Sequence, residues 1–192
     1  MQDKVYFFTS DRLGFRNWIE DDIKEMIAIN SDAEVMSYFP SIQDELQTRT
    51  FVQRMQNQLQ EKGYCYYAVD RLDSNAFIGF IGLSWQTYQA DFTPCVDIGW
   101  RLKKAEWNQG FATEGAGRCL EYAFHDLHIE TVYAVAPKVN LKSEHIMEAI
   151  GMKKIGEFDH PLLPNDLRLQ RCVVYTSQSR LTNISQALLE AI

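Results

Sequence analysis

The sequence predicts an α+β fold, with a central mixed sheet of about seven strands flanked by about four helices. Three observations predict it. Apolar residues recur every three or four positions in separate segments, short β-branched and aromatic runs lie between them, and the longest helical segment sits between two such runs. With 192 residues and 46% hydrophobic content, the chain can bury one sizeable core, so a single domain is expected.

The elements follow in order. KVYFFTSDRLGFRNW surrounds a Ser-Asp-Arg break with β-branched and aromatic residues, which predicts a first strand entering the sheet on both sides of a kink. WIEDDIKEMIAIN places Ile19, Ile23, Met26, Ile27 and Asn30 at helical spacing, with acids in the first turn where the helix dipole favours them. DELQTRTFVQRMQNQLQEKG repeats the pattern through Phe51, Met55 and Leu59 and stops at Gly63. Next, GYCYYAVDR, AFIGFIGLSWQ and FTPCVDIGWRL read as an antiparallel meander, separated by turn formers at Asp73, Ser74, Asn75 and Asp91.

The clearest helix begins at Ala112, with Ala116, Cys119, Leu120, Ala123, Phe124 and Leu127 on one face. TVYAVAP is a short buried strand, expected to lie parallel to the one before the helix because such crossovers are right-handed and parallel. NLKSEHIMEAIGM is a short helix ending at Gly151, and MKKIGEF and LRLQRCVVYTS are two closing strands. Residues 179–192 are expected to add a C-terminal extension, with a small helix.

Composition excludes several classes. The net charge of −7 repels phosphate backbones and anionic lipid, so neither nucleic acid nor membrane is an expected partner. No run approaches the ~20 apolar residues of a membrane span. Cys65, Cys95, Cys119 and Cys172 form no CxxC pair, which points to buried reduced thiols and a cytoplasmic protein. No metal is expected. His125 and His128 lie three apart on the long helix without a carboxylate or cysteine to complete a ligand set.

The stretch WNQGFATEGAG, from Trp107 to Gly117, joins a strand to that helix. A helix start presents unpaired N–H groups and the positive end of the dipole, a setting suited to an anion. Gly110 and Ala112 would let the backbone approach a pyrophosphate. From Arg101 to Arg118, four basic residues (Arg101, Lys103, Lys104, Arg118) outnumber Glu106 and Glu114, a basic collar on an acidic protein. Neither GxxxxGK[ST] nor GxGxxG is present. The equally open alternative is that Gly110 turns the chain while Gly115 and Gly117 allow close packing.

DIGWRLKKAEWNQGFATEGAGRCLEYAF resembles the acetyl-CoA-binding segment of the GNAT N-acetyltransferase superfamily, whose loop has the form (Q/R)xxGx(G/A). Trp107, Gly110 and Ala112 carry that form here, and WxxGxATE is similar to the RimJ/RimL-like branch. NLKSEHIMEAIGM matches the family's NxxSxxxxxxxGF through Asn140, Ser143, Gly151 and Met152. TSDRLGFR resembles the branch's opening strand and FDHPLLPNDLRLQRCVVY its closing strands, so the resemblance covers about residues 8–178.

The resemblance implies a GNAT-like acyl-CoA N-acyltransferase fold, acetyl-CoA as cosubstrate and a primary amine as acceptor. Trp107 and the backbone of Gln109, Gly110, Phe111, Ala112 and Thr113 would hold the pyrophosphate. The strand from Ile98 through Trp100 and Arg101 to Leu102 would splay from its neighbour and pair with the pantetheine arm. Asn140 would bind a pantetheine amide or the acceptor, and Ser143 would lie near the thioester sulfur.

Attack on a thioester needs a neutral amine. A lysine-like amine of pKa ~10.4 is neutral about once in a few thousand molecules at pH 7, whereas an α-amine near ~7.8 is neutral roughly one time in seven. Asp97, just before the splayed segment, is the candidate proton acceptor, with an ordinary ion pair or backbone contact as its alternative role. Many family members carry a sulfur-protonating tyrosine on the last helix, and Met147 stands at that position here. Ser143 is then the candidate donor, and a helix-start residue is its alternative role. Tyr38, Trp85, Tyr88, Phe92 and His160 are candidate linings of the acceptor pocket. The acidic surface favours a cationic acceptor, and the chain is expected to be a monomer or homodimer. Met147 also motivates a second reading, an acyl-CoA-binding sensor without catalysis.

Overall fold

The computed structural model describes residues 4–179. It contains one eight-stranded mixed sheet in the order β1-β2-β3-β4-β5-β6-β8-β7. The strands are β1 Phe8–Thr9, β2 Leu13–Arg16, β3 Tyr66–Arg71, β4 Phe77–Gln86, β5 Cys95–Leu102, β6 Thr131–Pro137, β7 Lys153–Asp159 and β8 Arg171–Gln178. The helices are α1 Glu20–Ser31, α2 Glu45–Lys62, α3 Phe111–His125 and α4 Leu141–Ala149.

The eighth strand comes from the expected kink. Ser10 N–H donates to Leu13 O at 2.9 Å, and Leu13 N–H to Ser10 Oγ at 3.2 Å. These bonds reverse the chain, so Phe8 pairs with Phe15 and Thr9 with Gly14. The last strand is shorter than LRLQRCVVYTS, because Asp166 Oδ1 accepts from Arg168 and Leu169 N–H at 3.1 Å and holds the preceding residues in a turn. The expected C-terminal helix falls in residues 180–192, outside the described residues.

Local chemistry accounts for the helix boundaries. Asp44 and Gln47 cap α2 reciprocally at 2.7 and 2.9 Å, and Gly63 closes it in the left-handed region at φ 78°. Asp22, in the first turn of α1, accepts from Ile19 N–H at 2.9 Å and also from Arg16 at 2.6 and 2.7 Å. Arg16 reaches Asp70 as well, at 2.7 and 2.8 Å, so one buried guanidinium ties β2, β3 and α1 together.

The core lies on both sheet faces. Phe80, Trp18, Phe51 and Tyr66 pack toward α1 and α2, whereas α3 lies against Ile81, Leu13 and Phe15. A side chain at Gly115 would strike Ile81 at 2.4 Å, so this glycine serves close helix-sheet packing. The meander β3-β4-β5 is antiparallel and β6 runs parallel to β5, as the crossover through α3 requires. All four cysteines are free and buried.

Candidate active site

β5 ends at Leu102, and the chain turns through a short 3-10 segment, Lys104–Glu106, before α3. Trp107 Nε1 donates back to Leu102 O at 3.0 Å, and Gln109 Nε2 to Ala105 O at 2.8 Å. Asn108 and Gly110 adopt left-handed φ of 59° and 81°, which bends the chain sharply into the helix. No side chain caps α3, so its first amides are left for another acceptor.

The one acid of that first turn, Glu114, is engaged on the far side. It accepts from Ser10 Oγ at 2.7 Å and from Arg12 N–H and Nε at 2.9 and 2.6 Å. Burial pushes its carboxyl up, but these bonds outweigh it and hold Glu114 below the usual carboxylate range. Arg12 Nη1 also donates to Gln109 O at 3.0 Å, which anchors the loop to the β1-β2 turn.

β5 and β6 are in register at a single pair, Asp97 with Tyr133. Past that point Ile98–Leu102 stay paired with β4 on their other side. A cleft of about 350 Å³ opens there, lined by Trp100, Arg101, Leu102, Trp107, Gly110, Phe111, Ala112, Thr113, Asn140 and Ser143. Of the cofactor residues expected from sequence, Ile98 and Gln109 do not line it. Ile98 is buried in the core, and the Gln109 carboxamide folds back on its own loop. Val35, Tyr38 and Phe39, from the α1-α2 connection, together with Lys142 and His145 of α4, complete the walls.

Asn140 and Ser143 form one unit at the start of α4. Asn140 Oδ1 accepts from Ser143 N–H at 3.2 Å, and Asn140 Nδ2 donates to Ser143 Oγ at 3.0 Å. The capping residue is therefore Asn140, and the Ser143 O–H keeps its proton available to a group in the cleft. Met147, one turn further along α4, is 2% exposed and belongs to the core.

Asp97 lies at the vertex where β5 and β6 part, outside the cleft lining. Among the described residues it makes no ion pair; its partner is Tyr66, whose Oη donates at 2.7 Å. Burial pushes the Asp97 carboxyl up to about 6, against hydrogen bonds from Tyr66 and Gln86 and the charge of Arg54. Burial, then the Asp97 charge, raises the Tyr66 phenol, which stays protonated.

The two lysines of the basic collar are paired with acids. Lys103 pairs with Glu25 at 2.6 Å and Lys104 with Glu34 at 2.5 Å, both acids arriving from α1 and the segment after it. Arg118 donates to Thr9 O at 2.9 Å, and Arg101 is 8% exposed, with Nη1 2.5 Å from Asn30 Oδ1 and its guanidinium 3.9 Å from the Phe39 ring. Besides the buried Arg101, the cleft is lined by the cation Lys142, with Nζ 4.7 Å from the Trp107 ring. Its place beside Ser143 in the first turn of α4 was the available sequence signal.

The expected acceptor linings separate. Tyr38 lines the cleft, Trp85 lies in a groove beside α2 with Lys62 4.7 Å from its ring, and Tyr88 and Phe92 pack with Tyr133, Phe158 and His160. Among the described residues no three His, Cys, Asp or Glu side chains gather as a metal site.

Known proteins are similar to this chain in sequence and in fold. The family model for the acetyltransferase (GNAT) domain matches residues 12–153. The uncharacterized protein YkkB of Bacillus subtilis is 31% identical over 138 residues, covering 69% of this chain and 77% of YkkB. The uncharacterized N-acetyltransferase YnaD of the same organism is 29% identical over 151 residues, covering 78% and 84%. A crystal structure of a GNAT-family acetyltransferase from Bacillus anthracis superposes with a TM-score of 0.74 at 25% identity, covering 88% of this chain and 96% of that one. The chain belongs to the GNAT acetyltransferase family.

Proposed function

We propose that the protein transfers the acetyl group of acetyl-CoA directly to a primary amine in a ternary complex, as a member of the RimJ/RimL-like branch acting in the cytoplasm. The observation that carries this reading is the parting of β5 from β6 beyond Asp97, beside a cleft that ends on the uncapped start of α3. The pyrophosphate binds the amides from Gln109 to Thr113, with Lys142 close enough to add its charge. The pantetheine arm pairs with the free edge of Ile98–Leu102 as an added strand. Trp107 walls the cleft, Asn140 meets an amide of the arm, and the Ser143 hydroxyl donates to the departing sulfur.

Asp97 accepts the proton that the amine loses. A base near 6 is better matched to the task at neutral pH than an ordinary carboxylate near ~3.9. The C–N bond forms as the C–S bond breaks, and the thiolate of a cysteine-like thiol, pKa ~8.5, leaves with a hydrogen bond alone. The acceptor is the N-terminal amine of a protein or peptide, or a small-molecule amine, and the net charge of −7 favours a cationic one. The protein acts as a monomer or a homodimer.

A second reading, a CoA-binding sensor without catalysis, rests on the buried Met147 where a tyrosine donor would stand. Thiol release from acetyl-CoA, measured with peptide N-termini, polyamines and aminoglycosides, separates the two. Acetylation of at least one amine supports the transferase; CoA binding without release on any of them supports the sensor.

A further inference from the structure

Tyr66 belongs to β3, yet its hydroxyl meets a carboxylate two strands away on β5. The register explains how. Tyr66 is opposite Gly82 on β4, and Gly82 is opposite Gly99 on β5, so a row of two glycines separates the tyrosine from the neighbourhood of Asp97. A Cβ at Gly99 would come within 3.0 Å of the phenol oxygen and ring carbon. At Gly82 a Cβ would strike the Cys65 carbonyl oxygen at 2.3 Å. The ring is held along this lane by Phe80 at 5.1 Å and Phe51 at 6.4 Å, both near-parallel to it.

We propose that Tyr66 is the positioning residue of the acetyl transfer, its phenol passing over the Gly82–Gly99 row to hold the Asp97 carboxylate where β5 and β6 part. The proposal rests on the transferase reading above and names the device that orients its proton acceptor. A carboxylate on a strand edge rotates about two bonds; the Tyr66 donor at 2.7 Å occupies Oδ1 and fixes the orientation of the group. The other polar groups facing Asp97 are Gln86 from β4 and Arg54 from α2, while Tyr64, Tyr88 and Cys95 are raised by burial first and then by its charge. Gln86 Nε2 lies 3.5 Å from the Tyr66 oxygen, so the phenol is itself steadied from the intervening strand.

Tyr66→Phe in the full chain tests this. A hydrogen bond to the charged carboxylate is lost, so Asp97 holds its proton to higher pH and the acid limb of kcat/KM shifts upward. The expected loss at pH 6 exceeds that at pH 8.5 by about fivefold, as a rise of one unit from about 6 gives, while the KM for acetyl-CoA stays within about twofold. Gly99→Ala, whose methyl crowds the phenol, shifts the limb in the same direction by less. A limb unmoved in Tyr66→Phe overturns the proposal. A readout without turnover accompanies it: the carboxyl ¹³C titration of Asp97, assigned by its disappearance in Asp97→Asn, moves upward in Tyr66→Phe, and identical titrations overturn the proposal again. Absence of thiol release by the wild type sinks the transferase reading instead, and the carboxyl titration still decides whether Tyr66 holds Asp97.

Discussion

At the scale of single residues, the proposed role of Asp97 joins stability to activity with opposite signs. Its folded pKa, about 6, lies above the ordinary carboxylate value of 3.8. The folded state therefore binds the proton more tightly than the unfolded one, and stability falls as pH rises from about 4 to about 6. Above that window the cost is fully present, with a ceiling on the order of 3 kcal/mol, reduced by the water that reaches a half-buried group. Asp97→Asn keeps an acceptor for Tyr66 and removes the charge. Its Tm is expected to exceed the wild type at pH 8 and to match it near pH 4, while kcat/KM falls about a hundredfold at pH 7. A variant as active as the wild type would remove Asp97 from the chemistry.

Asp97 was a candidate in sequence because the family resemblance points to the residue before the splayed strand, a local position. Tyr66 was not, since its contact depends on the register of three strands and on two glycines that read as ordinary strand residues. Lys103 and Lys104 misled for a related reason. Counting charges along WRLKKAEW takes no account of Glu25 and Glu34, which distant segments bring alongside.

At the scale of elements, the turn before α3, proposed to hold the cofactor, is a junction of the β1-β2 reversal with the start of that helix. Glu114 belongs to the motif that identified the segment, yet it points away from the cleft and clamps Ser10 and Arg12, and Arg12 in turn holds the carbonyl of Gln109. On the proposed function, this clamp keeps the amide-bearing loop in one shape before ligand arrives. Glu114→Gln keeps the side-chain size and loses the charge that holds Arg12. The affinity for CoA is expected to drop about tenfold, with Asp97-dependent pH behaviour unchanged, measured by calorimetric titration with CoA. Undiminished affinity would mean that the loop holds its shape without the clamp. The helix and its glycine start were readable from spacing alone, but the clamp joins residues 102 positions apart in sequence and needed the fold.

At the scale of the whole molecule, periodicity carried the order and type of the elements well, because both sheet faces are covered and each amphipathic stripe has one surface to bury against. It placed the first strand poorly, since a three-residue reversal at Ser10 to Arg12 is set by one hydroxyl and one backbone pair. The thiols follow from the same core. Burial raises all four cysteines, Cys95 to about 12 and Cys172 to about 11, with Cys65 and Cys119 higher still. The native protein is expected to react with no equivalent of a disulfide thiol reagent over minutes and with all four after denaturation. Rapid reaction of the native protein would contradict the burial of these positions.

The central claim is that the Gly110 turn and the splayed strand hold acetyl-CoA. Thermal unfolding of the wild type and of Gly110→Val, each with acetyl-CoA, CoA or ATP at equal concentration, tests it most directly. A ligand at about 100 times its Kd adds about 2.7 kcal/mol, worth several degrees in Tm for a domain of this size. Both CoA species are expected to raise the wild-type Tm, ATP to leave it unchanged, and Gly110→Val, forced into a left-handed φ of 81°, to lose the response. No shift with either CoA species, or an undiminished shift in the variant, would contradict the assignment of this turn as the cofactor site.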